Sequence, residues 1–305
     1  MRSSTPPTHI QYLMANESDH LWGNVITTVG FQHIGVHEPY PPANHPTRYL
    51  LSHQKGRLIE EYQLVYIVKG AGRFQSGSLN EMPVREGHVF LLFPGEWHNY
   101  YPDKETGWEE YWIGFNGTNM RDRVRCGFFD CQKPVYDIGI QDEVIQLYRR
   151  AIETAQTEVA GFQQQLSGFV SNLLGHVYTL HRNACFEQTD VANKINKARM
   201  ILSEQYNVDI PLEPLAQEVQ MSYSWFRHAF KEYTGFSPNQ YVLELRIQKS
   251  KALLTNSVLS IKEIAYKVGF NNSEYYATLF RRKTEMTPGE YRRFTQGKLI
   301  PRQVG

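Results

Sequence analysis

The feature that most constrains this 305-residue chain is an internal repeat. Residues 210–238 read IPLEPLAQEVQMSYSWFRHAFKEYTGFSP, and residues 260–288 read SIKEIAYKVGFNNSEYYATLFRRKTEMTP. Leu215-Ala216 and Val219 have counterparts 49 residues on, in Ile264-Ala265 and Val268. Phe226, Phe230 and Ser237-Pro238 have theirs 50 residues on, in Tyr276, Phe280 and Thr287-Pro288. The offset slips by one in the turn, where a change of length costs least. Two copies are too few for a solenoid, so the pattern is a tandem duplication of one helical motif.

Each copy reads as a short helix, a tight turn and a longer helix. Ala216 or Ala265 lets the two helices approach, and the repeated apolar positions face inward. One face of each longer helix is left over. In the first copy it carries Ser222, Tyr223, Ser224, Arg227, His228 and Lys231; in the second, Asn272, Ser273, Glu274, Ala277, Thr278, Arg281 and Arg282. This is helix-turn-helix geometry, in which the second helix enters a DNA major groove. Residues 239–254 between the copies would span about 24 Å as a helix, a spacer able to set two readers about one DNA turn apart. Arg246, Lys249 and Lys251 on it are expected at phosphates.

Charge agrees. The formal net charge is +1, but residues 190–305 hold 17 Lys/Arg against 11 Asp/Glu, and residues 1–189 hold 15 against 20. A basic segment joined to an acidic one fits a polyanion-binding module beside a module of another kind.

That other module reads as β-rich. Between about 25 and 140, turn-forming clusters such as PYPPANHP (39–46), KGAG (69–72) and FPGE (93–96) separate short runs rich in β-branched and aromatic residues. QLVYIVKG (63–70), GHVFLLFP (87–94) and EEYWIGFNG (109–117) are the clearest, and their spacing predicts a sandwich or barrel. Beyond Gly139, residues 142–158 and 162–182 place apolar side chains at helical spacing. This helix pair is expected either to close the β domain or to pair with a second copy of the chain. The expected divisions are a flexible arm over 1–20, a sensing domain over 21–140, the helix pair over 141–183, a linker over 184–192 and the DNA-binding domain over 193–295.

No apolar run reaches the roughly 18–20 residues of a membrane span, and the first twenty residues lack an apolar signal core. Cys126, Cys131 and Cys185 match no zinc or redox spacing. A cytoplasmic protein with neither metal nor cofactor is expected.

AQEVQMSYSWFRHAFKEYTGFSP, LRIQKSKALL and IKEIAYKVGFNNSEYYATLFRRKTEMTPGEYR together resemble the AraC/XylS family of bacterial transcription regulators. The resemblance implies that Ser224, Arg227 and His228 read bases from the first long helix, with Lys231 on phosphate. Ser273, Glu274 and Thr278 are the matching positions of the second. Glu285 stands where the family usually has the glycine that closes the second long helix, so another cap or left-handed strain is expected there.

The β segment resembles the cupin-like, arabinose-binding type of sensor domain. Metal-dependent cupins present a His-x-His cluster, which YQLVYIVKG lacks, and His98 has no companion ligands. The resemblance instead implies a sugar-type pocket with Tyr100, Glu110 and Trp112 on the inner wall and Gln32 and Arg57 near it. Glu110 replaces a histidine of those relatives. The expected function is a transcription regulator, an activator, controlled by a small-molecule effector such as a mono- or oligosaccharide. Its expected partners are double-stranded promoter DNA, RNA polymerase and a second copy of itself in a homodimer. The alternatives are a ligand-independent dimeric DNA-binding regulator and a cupin-type enzyme. Against the enzyme, no acid–base or nucleophile motif is present to supply catalytic residues.

Overall fold

The computed structural model describes residues 8–41, 56–187 and 190–298. They form two compact units, Met1–Cys185 and Phe186–Gly305.

The first unit is an antiparallel β structure. Its strands are β1 (His9–Tyr12), β2 (Val25–Ile34), β3 (Tyr62–Ser76), β4 (Leu79–Arg85), β5 (His88–Leu92), β6 (His98–Pro102), β7 (Trp108–Asn116) and β8 (Val135–Asp137), with the short helices α1 (Glu17–Leu21) and α2 (Thr118–Arg125). One sheet runs β1-β2-β7-β3-β5-β8. The fifteen-residue β3 belongs to two sheets. Residues 62–70 pair with β7, whereas residues 71–76 pair with β4 and β6. Gly70 sits at the corner with φ of 86°, and a Cβ on it would lie 2.1 Å from the Gly107 carbonyl oxygen. Only glycine meets both conditions.

Alternation along the strands builds two cores. Leu64, Tyr66, Ile113 and Phe115 point to one face and Val65, Ile67 and Trp108 to the other. The first face is covered by α3 (Asp142–Thr157) and α4 (Phe162–Glu187) through Val144, Tyr148, Leu166, Val170, Leu173 and Val177. The apolar stripe of the helix pair therefore closes the chain's own sheet. The second face, with Phe74, Phe90, Leu92 and Tyr100, fills the space between the two sheets.

The arm expected over 1–20 differs from the structure in its second part. His9–Tyr12 adds an edge strand to β2, and Asn16 opens α1 with a reciprocal capping box to Asp19. Polarity misleads here, because an edge strand and a capped surface turn need few apolar residues. Beyond Leu13 the chain leaves β2, and α4 takes over: Gln163 Oε1 accepts from the Ile26 N–H (3.0 Å) and Gln163 Nε2 donates to the Ile26 carbonyl (2.9 Å). Residues 1–7 of the expected arm and 188–189 of the expected linker lie outside the described residues.

The second unit is helical: α5 (Val191–Glu204), α6 (Leu212–Glu218), α7 (Tyr223–Thr234), α8 (Pro238–Asn256), α9 (Ile261–Lys267), α10 (Ser273–Thr284) and α11 (Pro288–Thr295). Ser237-Pro238 and Thr287-Pro288 start α8 and α11 with capping boxes to Gln240 and Glu290, proline at the first helical position. Each repeat has its own core. Leu215, Ala216, Phe226 and Phe230 pack with α5, and Ile264, Ala265, Tyr276 and Phe280 pack with Ile247 and Leu254. α8 serves both, giving Tyr241 and Val242 to the first core and Ile247 and Leu254 to the second.

Candidate DNA-reading face and effector pocket

The repeats leave matched faces in solvent. On α7, Ser224, Trp225, Arg227, His228 and Lys231 are exposed; on α10, Glu274, Tyr275, Thr278 and Arg281 are exposed and Ser273 is half-buried. The cores fix these faces, because Phe226, Ala229 and Phe230, and Tyr276, Leu279 and Phe280, occupy the opposite sides. Two of the expected reader positions are already engaged. Tyr223 packs on the first core and lies under the Arg227 guanidinium at 5.6 Å, and Asn272 caps α10, accepting from the Glu274 and Tyr275 N–H groups. Ser222 opens α7 without a side-chain cap bond.

Three features correct or extend the sequence reading. Arg246, expected at a phosphate, is buried and donates to the Tyr206 and Val208 carbonyls and to Asp209, at 2.7, 3.0 and 3.1 Å. A basic residue among other basic residues on a helix gives no sign of backbone acceptors 38–40 positions away. Lys249 does remain exposed, over the Tyr206 ring. Trp225 and Tyr275 are large aromatics half in solvent on the reading faces. The 50-residue offset already pairs them, and that was the signal available for finding them.

Glu285 does take the left-handed conformation, φ 62°, as Gly235 does in the first copy at 79°. The turn inside each motif reverses the assignment: Gln220 has φ 55° and its counterpart Gly269 has φ 97°. Each copy thus holds one non-glycine residue in a region that costs about 1–3 kcal/mol.

At the other unit, Gln32, Arg57, Tyr100, Glu110 and Trp112 come together. With Ile10, Tyr12, Thr28 and Gln63 they line one pocket. Gln32 and Glu110 are register partners on β2 and β7. Arg57 is bridged to β6 through the His98 backbone; its Nη2 donates to Tyr100 Oη (3.0 Å) and its Nε to His98 Nε2 (3.2 Å). Burial, helped by the Arg57 charge, lowers the His98 pKa to about 3, so the ring is neutral and accepts this bond. Burial pushes Tyr100 up to about 12 against the pull of Arg57.

Glu110 is the anomaly of the pocket. Its carboxyl is buried, and Oε2 has no hydrogen-bond partner among the described residues. Burial raises its pKa to about 8, with Arg57 only partly opposing. Trp112 is half-exposed and lies flat over Gly30, an apolar wall beside polar groups, which suits the two kinds of surface on a sugar ring. Among the described residues, no group of three His, Cys, Asp or Glu side chains is placed to hold a metal ion, and no helix is long and apolar enough to cross a membrane.

A β unit with a polar pocket and a helical unit with two outward-facing reading helices define a ligand-binding, DNA-binding regulator. Comparison with known proteins agrees: residues 50–182 match the AraC-like ligand binding domain and residues 215–293 a helix-turn-helix domain. The chain belongs to the AraC family of transcription regulators. It is 24% identical over 245 residues to the Msm operon regulatory protein of Streptococcus mutans, covering 78% of this chain and 86% of that one. It is 26% identical over 247 residues to the raffinose operon transcriptional regulatory protein RafR of Pediococcus pentosaceus, covering 77% and 85%. It is also 26% identical over 235 residues to the lactose operon transcription activator of Staphylococcus xylosus, covering 74% and 81%.

Proposed function

We propose that this protein activates transcription of an operon for sugar use when a sugar fills the pocket built by Gln32, Arg57, Tyr100, Glu110 and Trp112. The observation that carries the reading is the convergence of these five side chains, from different parts of the first 112 residues, on one pocket. Two of the relatives, the raffinose and the lactose operon regulators, support sugar as the ligand class.

In this reading residues 21–140, with the edge strand His9–Tyr12, sense the effector, 141–183 form the helix pair, 184–192 connect and 193–295 read DNA. Ser224, Arg227 and His228 contact bases in one major-groove segment and Ser273, Glu274 and Thr278 in the next. Ser222, Tyr223, Asn272, Lys231 and Arg281 orient the helices or meet phosphates. The protein acts in the cytoplasm as a homodimer that recruits RNA polymerase, and it performs no catalysis. The effector works only by its differential affinity for two states of the protein.

The test is DNA binding by the full chain to its upstream region, measured with and without raffinose, lactose and their component monosaccharides. A sugar-dependent change in affinity or transcription is expected. Saturating ligand that alters neither would sink the reading.

A further inference from the structure

We propose that Glu110 selects the charge of the effector: its carboxylate accepts hydroxyl hydrogens of an uncharged sugar, its own proton leaves on binding, and anionic sugars are rejected. This rests on the sugar-sensor reading above and adds the residue that sets its specificity.

The argument begins with an unmet hydrogen-bonding capacity. Glu110 is only 3% exposed, yet Oε2 has no partner among the described residues. A buried polar atom in that condition costs about 1–3 kcal/mol, more when charged. The empty protein limits the cost by keeping the proton on. A bound sugar removes the cost differently. Its hydroxyls donate to both carboxylate oxygens, and a carboxylate that accepts such bonds is stabilised as the anion. The balance is simple. The Glu110 O–H bond breaks, the proton goes to solvent, and ligand O–H groups bond to the resulting anion.

The surroundings oppose an anionic ligand. Arg57 is the cation among the described residues of the pocket wall, and it already donates Nε to His98 and Nη2 to Tyr100. A second buried acid, Glu61, lies behind the wall, its Oε1 accepting from Gln63 Nε2 (2.7 Å) and Thr28 Oγ1 (3.5 Å). A uronate or sugar phosphate would bring a second anion against the Glu110 carboxylate, with Arg57 the cation among the described residues of the lining. Its oxygens accept, so Glu110 could meet them only by keeping its proton, and the carboxylate that a hydroxyl ligand stabilises would not form.

The other groups around Glu110 do not imitate the proton release. From β6, Tyr100 is pushed up to about 12 and His98 down to about 3; Tyr40, packed on Tyr100, is raised well above the usual tyrosine range. The β2 and β3 register partners are Gln32 and Ile67, which do not titrate. The neighbouring Glu109 belongs to a different cluster, 3.2 Å from Lys69 and 3.3 Å from His33.

The experiment uses the full chain. Galactose, glucose, lactose and raffinose are compared with galacturonate, glucuronate and galactose 6-phosphate by thermal shift. The tightest probe is then titrated calorimetrically at pH 6, 7 and 8, in two buffers of different ionisation enthalpy, with wild type and Glu110→Gln. The expected result is a neutral sugar as tightest probe, close to one proton released at pH 7, and affinity rising by about tenfold per pH unit from 6 to 7 and levelling above 8. Glu110→Gln should bind at least about tenfold more weakly and without pH dependence. An anionic sugar as tightest probe, binding without proton release, or a glutamine variant that binds equally well each overturns the proposal. Should the variant fail to fold, proton release by the wild type still decides. A panel in which nothing binds removes the sugar-sensor reading itself, and this proposal with it.

Discussion

Gly30 and Trp112 are partners across the β2–β7 ladder, and a Cβ on residue 30 would lie 2.2 Å from Cζ2 of the indole. The missing side chain of one residue is therefore the seat of the other, and the apolar wall of the pocket depends on both. Gly30→Ala should force the indole off its seat and into the pocket. We expect a stability loss of about 1–3 kcal/mol from overpacking and effector affinity reduced by about tenfold or more. Urea denaturation and sugar titration read the two effects, and unchanged affinity would refute the assignment of Trp112 to the binding wall.

Glu110 makes the ligand-free protein less stable in mild alkali. Its folded pKa, about 8, is raised above the unfolded value near 4.5. Between these limits the folded state holds a proton that the unfolded chain has released, so stability is full below pH 4.5 and falls as pH rises toward 8. The drop should be on the order of a few kcal/mol, and Glu110→Gln should abolish it. Urea midpoints at pH 5.5 and 8 for both proteins give the answer; parallel declines would assign the loss to another group.

Gln163 substitutes for a strand. With Gln163→Ala the buried Ile26 N–H and carbonyl lose the amide that meets them at 3.0 and 2.9 Å. A loss of about 2–4 kcal/mol is expected for two backbone groups left without partners. Gln163→Glu, which keeps an acceptor for the N–H but no donor for the carbonyl, should recover at most part of it.

Arg246→Ala should act on folding rather than on DNA. Removing a buried guanidinium that serves two carbonyls and Asp209 should cost about 3–5 kcal/mol. A phosphate-binding residue would instead lower the salt slope of DNA affinity by about 0.9. Urea unfolding and binding at several salt concentrations separate these outcomes.

On the reading face the expectations diverge by residue. Arg227→Ala should cost about 1–3 kcal/mol on the preferred site and relax choice at one base pair. Lys231→Ala should weaken all sequences alike and flatten the salt dependence. Identical behaviour of the two variants across a set of single-base operator changes would show that the face is misassigned.

How much of this could be read from the residues depended on whether a pattern recurs. The two helix-turn-helix motifs were legible because duplication shows each apolar position twice, as with Phe226 and Tyr276. Resemblance is what singles out the pocket residues; alternation alone places Glu110 and Trp112 on one face of β7 but does not say which face is hollow. What stayed hidden were long-range polar repairs. Gln163 and Arg246 look like surface residues, and their acceptors are backbone atoms 137 and 38–40 positions away in the chain. The edge strand His9–Tyr12 was hidden for a related reason: its stability comes from pairing with β2 rather than from its own composition.

α8 is a wall shared by two rooms. Because Tyr241 and Val242 belong to one core and Ile247 and Leu254 to the other, the pair of readers is keyed to a single screw thread. Substitutions on α7 or α10 can retune either reader alone. One residue inserted in α8 between Val242 and Ile247 would turn one reader by about 100° against its twin and advance it about 1.5 Å. Such a change would ruin the phase of the whole unit without altering any residue that touches DNA.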